Sequence, residues 1–159
     1  MRAALSCLAV SALVGGMLLA PLPALACTLT VQSPGTLRAS SDNTVLGSEV
    51  NGTTPGTMTS VLSLLDGTAT IEVAAPTRIQ TASGYNAAAE TLQVAYNAAS
   101  VLGLFPGASQ SYTSATTSFQ ATGILAGLSI TITLNNRILN PNGFAPGTYA
   151  TRTVVTCHP

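Results

Sequence analysis

Apolar and polar residues alternate with a period of two along much of this chain. The alternation is cleanest over residues 128–134, where leucine and isoleucine exchange with serine and threonine at every step. A second run, over residues 68–73, places alanine, isoleucine and valine opposite threonine and glutamate. Because successive side chains of a strand point to opposite faces, both runs predict β-strands with one buried and one wet face.

The second run begins directly after an Asp-Gly pair, Asp66 and Gly67. Before the pair lies another apolar stretch, which contains Leu62 and Leu64. Both positions of an Asp-Gly loop tolerate the positive φ angles that tight hairpin turns need. The sequence therefore predicts a β-hairpin whose two strands pair across this turn.

Further strands are expected wherever short β-prone runs lie between Gly- and Pro-rich turns. The segment of residues 85–105 is ambiguous. Its alanine, glutamate and leucine content favours a helix, whereas Leu92, Val94 and Tyr96 alternate with polar or small residues as in a strand. We interpret it as a strand over residues 91–97, preceded by a short helical turn. The other expected strands are residues 28–32, 45–50, 112–122 and 149–157. Seven or more short strands predict an all-β fold, an antiparallel β-sandwich.

The first 26 residues have the pattern of a secretory signal peptide. Arg2 supplies the positive charge, residues 8–19 are apolar, and Ala24 and Ala26 stand at the −3 and −1 positions of a cleavage site. We therefore expect residues 1–26 to be removed and residues 27–159 to form a single domain in the periplasm or at the extracellular surface. No later run approaches the roughly 18 apolar residues of a membrane helix, so no membrane insertion is expected after cleavage.

Two cysteines, Cys27 and Cys157, lie beyond this segment, since Cys7 would be removed with it. In an oxidising compartment the two are expected to form one disulfide. The alternative is a lipid attached to Cys27, which would leave Cys157 as an odd thiol. The lipidation motif usually has leucine where this chain has Ala24, but the sequence leaves both alternatives open.

Charged residues are scarce, and their balance excludes some classes of partner. Beyond residue 26 the chain has four arginines, no lysine and five acidic residues, so that its net charge is about −1. Nucleic acids and anionic membranes need a basic patch, and neither is expected as a partner.

Catalytic groups are also scarce. The one histidine, His158, lies next to the end of the chain, and no internal histidine or lysine could activate a serine or cysteine nucleophile. The acidic residues form no evident pair for glycoside hydrolysis, and no cluster suggests a metal site. We therefore expect no enzyme, no catalytic residue, and no cofactor or metal.

The two ends of the chain resemble a known family. Residues 132–157 comprise an alternating strand, the pair Arg137 and Ile138, a Pro-rich loop, and a final Thr/Val strand opened by Pro146, Gly147, Thr148 and Tyr149. This ending resembles the C-terminal hairpin of the spore coat protein U family, which includes the archaic chaperone–usher pilins. Residues 26–37, "ACTLTVQSPGTL", resemble the early strand of that family.

This resemblance implies an immunoglobulin-like, pilin-like sandwich. The chain would then be a secreted, non-catalytic structural protein of the bacterial surface or periplasm. Its expected partners are other surface or pilus subunits, or a periplasmic chaperone, bound through strand edges.

Two departures from the family pattern change this expectation. No donor segment precedes Cys27 once residues 1–26 are removed, and no cysteine lies in mid-chain. The chain would be a self-contained sandwich, or a terminal subunit that accepts a strand without donating one. Two other functions stay open: a lipid-anchored envelope protein, and a binding module for carbohydrate or protein. Such a module would use the four tyrosines, Tyr85, Tyr96, Tyr112 and Tyr149.

Overall fold

A computed structural model describes residues 27–62, 67–100, 103–123 and 127–158. These residues contain twelve β-strands and no helix, and therefore none that could cross a membrane. The strands are β1 (Cys27–Ser33), β2 (Arg38–Ala39), β3 (Val45–Gly47), β4 (Gly56–Leu62), β5 (Gly67–Val73), β6 (Thr77–Gln80), β7 (Thr91–Ser100), β8 (Ala108–Thr113), β9 (Thr117–Gly123), β10 (Leu128–Leu139), β11 (Ala150–Arg152) and β12 (Val155–His158).

The longest strand, β10, is the centre of a seven-stranded antiparallel sheet. One edge of β10 pairs with β7, which in turn pairs with β8. The other edge pairs first with β4 and then with β3, and these are flanked by β1 and β2 respectively. This side of the sheet therefore has two interrupted rows. β4 and β3 form the row next to β10, and β1 and β2 form the edge row beyond it.

The second layer contains the remaining strands. β5 lies between β12 and β9, while β6 pairs with β11. Between these two pairings, the Ala74 amide donates to the Val154 carbonyl over 2.9 Å. The last segment of the chain, β11 followed by β12, therefore runs along β6 and β5 as one interrupted strand.

One apolar core joins the two layers, which confirms the predicted antiparallel sandwich. The inward residues of β10 and β7 alternate as the sequence predicted, and they pack against the inward face of β5. Fully buried members include Ile130, Ile132, Val94, Ile71 and Val73. A second, smaller cluster at one end is built around Leu46, Ile138 and Phe144.

The hairpin predicted at Asp66-Gly67 is wrong. Both edges of β4 are already occupied, by β1 and β10, while β5 lies in the other layer between β12 and β9. Asp66 lies outside the described residues, as do residues 63–65, and Gly67 is the first residue of β5. β4 and β5 therefore lie in different layers. The prediction failed because an Asp-Gly pair favours a tight turn of the local backbone but does not decide which strand the next one pairs with.

Most other strand predictions are confirmed with shifted bounds. The ambiguous segment forms the strand β7. Where a short helical turn was expected before it, there is a single turn, closed by a hydrogen bond from the Glu90 amide to the Ala87 carbonyl. The strand expected over residues 112–122 is interrupted where the chain changes layer between β8 and β9, and the strand expected over 149–157 is divided into β11 and β12. β6 was missed, since all four of its residues are exposed and carry no alternation.

A disulfide between Cys27 and Cys157 connects the two layers, as the sequence predicted. Cys27 belongs to β1 of the large sheet and Cys157 to β12 of the small one, with their Cα atoms 6.1 Å apart. This bond uses the Cys27 thiol that lipid attachment would need.

An open groove between the first and last strands

The first and last strands each have an unpaired edge. β1 pairs with β4, and β11 and β12 pair with β6 and β5, but no other described strand pairs with the remaining edge of any of these three. The disulfide holds β1 and β12 side by side at one end. Backbone N–H and C=O groups along two adjacent strand edges are thus left without sheet partners, and such edges are templates for an additional strand.

A continuous groove separates these two edges beyond the disulfide. A cavity of about 400 Å³ and a neighbouring one of about 180 Å³ share Pro34, Gly56, Leu134, Asn136 and Thr151 as lining residues. A third, of about 480 Å³, shares Leu37 and Tyr149 with the first. We call this space the terminal groove: residues 31–39 form one wall, residues 145–153 form the other, and Met58, Leu134 and Asn136 form the floor.

Val31 is the clearest sign that the terminal groove lacks a cover. Along β1, Cys27 and Leu29 are partly buried and alternate with exposed threonines, and Val31 is in register with the buried Met58, so Val31 lies on the inward face. Its exposed fraction is nevertheless 65%. Val31 contributes to the groove lining together with Met58 and Leu134, and no described residue covers this apolar side chain.

The first wall is held rigidly against β4. Gly35 has φ +74°, and an added Cβ would lie 2.6 Å from the Gly56 amide nitrogen, so only glycine fits this close backbone approach. Two hydrogen bonds join Thr36 to Thr54 next to this position. The Thr36 amide donates to the Thr54 carbonyl, and the Thr54 amide donates to the Thr36 hydroxyl. The interruption between β1 and β2 is therefore a fixed bend.

The second wall is built by the "PGTY" motif found in the sequence. The Tyr149 hydroxyl donates to the Ala145 carbonyl over 2.8 Å, a contact like the tyrosine corner of immunoglobulin-like sandwiches. The Tyr149 ring packs edge-on against Tyr85 and Phe144. Pro146 and Gly147 line the third cavity, whereas Thr148 is exposed. The motif thus positions the chain at the entrance to β11.

The pair Arg137-Ile138 is divided between the two faces of β10. Ile138 is fully buried in the small cluster with Phe144. Arg137 lies on the outer face, where its guanidinium carbon stands 3.8 Å from the centre of the Tyr112 ring and its Nε donates to Gln93. Desolvation, followed by a hydrogen bond with Glu49, raises the pKa of Tyr112. Neither residue of this pair therefore lines the terminal groove.

A half-buried ionic contact supports the aromatic cluster from behind. The Tyr85 hydroxyl donates to Glu90 over 2.6 Å, and Arg78 forms an ion pair with the same carboxylate at 3.0 Å. Burial, together with the hydrogen bond to Glu90, raises the pKa of Tyr85 to about 12. Glu90, which had no evident partner in the sequence, is thus explained by a contact within the fold.

The described residues hold little else that could act chemically. No three His, Cys, Asp or Glu side chains among them lie close enough to hold a metal ion. His158 is exposed, with Thr156 at 3.3 Å. Each tyrosine ring is engaged by protein: Tyr96 is buried in the main core, Tyr85 and Tyr149 stack in the small cluster, and Tyr112 lies under Arg137. Sequence reasoning missed the groove itself; its one visible signal was Val31 on the buried face of a terminal strand.

Comparisons with protein-family models, with curated proteins and with solved structures give no match to this chain. The resemblance to the spore coat protein U family therefore stays a prediction, supported by the residues at the two ends of the chain.

Proposed function

We propose that this protein is a secreted, non-catalytic structural protein of the bacterial surface or periplasm, a pilin-like sandwich that accepts an extended strand of a partner protein in its terminal groove. The observation that carries the proposal is Val31, an inward apolar side chain left 65% exposed between two unpaired strand edges. A partner strand would cover Val31 and pair with both edges at once.

The physical gain from such a strand has two parts. Covering the exposed area of Val31 would contribute about 1–2 kcal/mol through the hydrophobic effect. Main-chain hydrogen bonds to β1 and β11 would add affinity, while the cavities between the walls would select the side chains of the incoming strand. The opposite side of the sandwich shows the contrast, since the rings of Phe105, Phe119 and Tyr96 fill the space there.

Two further observations support an exported, immunoglobulin-like subunit. The Tyr149 contact with Ala145 has the geometry of a tyrosine corner, which is typical of immunoglobulin-like sandwiches. The disulfide fits an oxidising compartment such as the periplasm or the cell surface, in agreement with the signal-like residues 1–26, which lie outside the described residues.

The proposal is tested by blocking the groove in cells that produce the protein. Val31→Asp places a charge on the inward face of β1, and Val61→Asp is its matched control, because Val61 is 39% exposed on the outer face of β4. Surface material is extracted without heating or reduction and separated by size. We expect wild type and Val61→Asp in assemblies and Val31→Asp only as free monomer. If wild type is always a free monomer, or if both variants assemble equally, the proposal is wrong.

Amide hydrogen exchange locates the partner strand directly. Residues 28–33 and 150–157 have backbone amides that point to the unpaired strand edges. These amides should exchange quickly in the free protein and slowly in the assembly, because they would have hydrogen-bond partners only in the assembly. The same slow exchange in the free protein would mean that the groove is already closed.

A further inference from the structure

One asparagine of the chain has the sequence context of an N-glycosylation site. Asn51, Gly52 and Thr53 form an Asn-X-Thr segment whose middle residue is not proline, which is the acceptor pattern for a glycan on the asparagine side chain. The chain has eight asparagines, and Asn51 is the only one followed two residues later by a serine or threonine. Because such acceptors belong to surface loops of exported chains, the place of this segment in the fold decides whether it can be modified.

The segment lies at the tip of the loop between β3 and β4. Asn51 and Gly52 are both exposed. The chain reverses here, since Gly52 has φ +84° and the Thr53 amide donates to the Val50 carbonyl over 3.1 Å. The Thr53 hydroxyl donates to the same carbonyl. An exposed loop tip is the part of a fold that best tolerates a bulky addition.

The fold holds the loop without using the Asn51 side chain. The Arg38 guanidinium donates to the Asn51 backbone carbonyl over 3.3 Å, and Glu49 is hydrogen-bonded with Tyr112. The Asn51 side-chain amide has no hydrogen-bond partner among the described residues. The amide of Asn140 shows the contrast, because Asn140 is fully buried and its Nδ2 donates to a backbone carbonyl. The loop is thus fixed by its backbone and its neighbours, and the Asn51 amide is left to solvent.

Asn51 also lies away from the terminal groove. It is absent from the lining of all three cavities. Arg38, which contacts its carbonyl, is in register with Gly47 and Arg137 on the outer face of the large sheet. A glycan on Asn51 would therefore stand on the outer side of the edge row and leave the groove open to a partner strand.

We propose that Asn51 is an N-glycosylation site, modified on export by a membrane-bound transferase whose donor is an oligosaccharide on a lipid diphosphate. The Asn51 amide nitrogen forms a bond to the anomeric carbon of the sugar, and the bond from that carbon to the diphosphate oxygen breaks. The lipid diphosphate leaves with the electron pair of the broken bond, and a base of the transferase takes one amide proton. This inference depends on export of the chain but not on strand acceptance.

Mass spectrometry of the mature protein, purified from the cells that naturally produce it, tests the site. We expect the mass to exceed that of the polypeptide by one glycan, and peptide mapping should place the glycan on Asn51. Asn51→Gln should lose the added mass completely. Asn142→Gln is the matched control and should keep it, because Asn142 is also exposed and followed by glycine but has Phe144 two positions on.

Two variants of Thr53 test the part played by its hydroxyl. Thr53→Ser keeps the hydroxyl and should keep the glycan, whereas Thr53→Val should lose it. Because Thr53→Val also removes the hydrogen bond to the Val50 carbonyl, a peptide of residues 47–56 is incubated with membranes of the same cells. The wild-type peptide should be glycosylated and the Thr53→Val peptide should not, which separates recognition from folding.

The outcomes distinguish this inference from the proposed function. An unmodified Asn51 in the mature protein overturns the inference, even where the protein assembles through its groove. Added mass that persists in Asn51→Gln also overturns it, since the glycan would then lie on a serine or threonine hydroxyl. A glycan on Asn51 of a protein that is always a free monomer supports the inference and overturns strand acceptance.

Discussion

At the scale of single residues, the Glu90 carboxylate shows how one charged side chain holds several loops together. The Glu90 side chain is only 5% exposed, and it meets the Tyr85 hydroxyl and the Arg78 guanidinium. A buried carboxylate is tolerated only when hydrogen bonds and an opposite charge compensate its lost hydration. This contact joins β6, the turn at residue 85 and the start of β7, and thereby supports the aromatic cluster behind the second groove wall.

Removing the cation should therefore leave a buried charge unpaired. We expect Arg78→Ala to lower the free energy of unfolding by about 1–3 kcal/mol, less than for a fully buried pair because Arg78 is itself partly exposed. Arg152→Ala is the control, and its effect should stay within about 0.5 kcal/mol. Urea titration measures both; equal effects would mean that the ion pair contributes nothing specific.

Tyr85 predicts the behaviour at high pH. Its pKa is about 12 in the folded protein against an ordinary value of 10.0, so the folded state keeps a proton that the unfolded state loses. This contribution to stability is complete below pH 10 and is lost as the pH rises from 10 to about 12. The free energy of unfolding should fall less steeply over that window in Tyr85→Phe than in wild type. Parallel curves would contradict the prediction.

Gly35 tests the fixed bend in the first wall. Gly35→Ala should combine the cost of positive φ with a clash against the backbone of Pro55 and Gly56. Gly84 is a matched control, since it has the same φ of +74° but nothing within 4 Å of an added Cβ. We expect Gly84→Ala to cost about 1 kcal/mol, and Gly35→Ala about 2 kcal/mol more because of the clash. Similar urea midpoints would show that the wall can yield.

At the scale of elements, β10 determines the large sheet because three strands pair with it. Its inward side chains from Leu128 to Leu134 form the middle of the main core. Its outward side chains from Ser129 to Asn135 are serine, threonine and asparagine, and threonines of β1 and β4 stand beside them, as in the row Thr30, Thr59 and Thr131. These rows of uncharged polar side chains keep the outer face of the sheet hydrated, although the chain has few charged residues.

Shortening the centre of β10 should therefore be costly. Ile132 is fully buried, and we expect Ile132→Ala to lower the free energy of unfolding by about 2–5 kcal/mol through lost burial and a cavity. Ile79→Ala is the matched control, because Ile79 on β6 is 60% exposed, and its effect should stay within about 0.5 kcal/mol. Thermal and urea unfolding both report the difference, and a small loss at Ile132 would mean that the core relaxes around the gap.

The elements also show which features a sequence pattern can predict. Alternation identified the faces of β5, β7 and β10, because each buries one side in the core. The Asp-Gly pair gave β5 the wrong partner, because such a pair describes only the local backbone, whereas the pairing of a strand depends on the whole sheet. The terminal groove could not be predicted, because it depends on which edges stay unpaired after every strand has its place.

At the scale of the whole molecule, the disulfide joins the two layers through strands that each have only one sheet partner. It closes a loop with a sequence separation of 130 residues, and the cross-link lowers the entropy of the unfolded chain. Without it, β1 and β12 would be held by single pairings and free to fray.

The double variant Cys27→Ser and Cys157→Ser should show this contribution. We expect a loss of about 3–5 kcal/mol in the free energy of unfolding, which is a large share of the total for a domain of this size. Urea titration of the variant and of the reduced wild type should agree. A variant as stable as the oxidised protein would show that the two sheets hold the end strands unaided.

The position of the same bond decides how the molecule carries tension. Residues 28–156 lie inside the closed loop, so a pulling force between Cys27 and His158 is transmitted through two cysteine side chains and one covalent S–S bond. The rows of sheet hydrogen bonds lie outside that route and are not stretched. A pull between these two ends would therefore load the covalent link and leave both sheets folded.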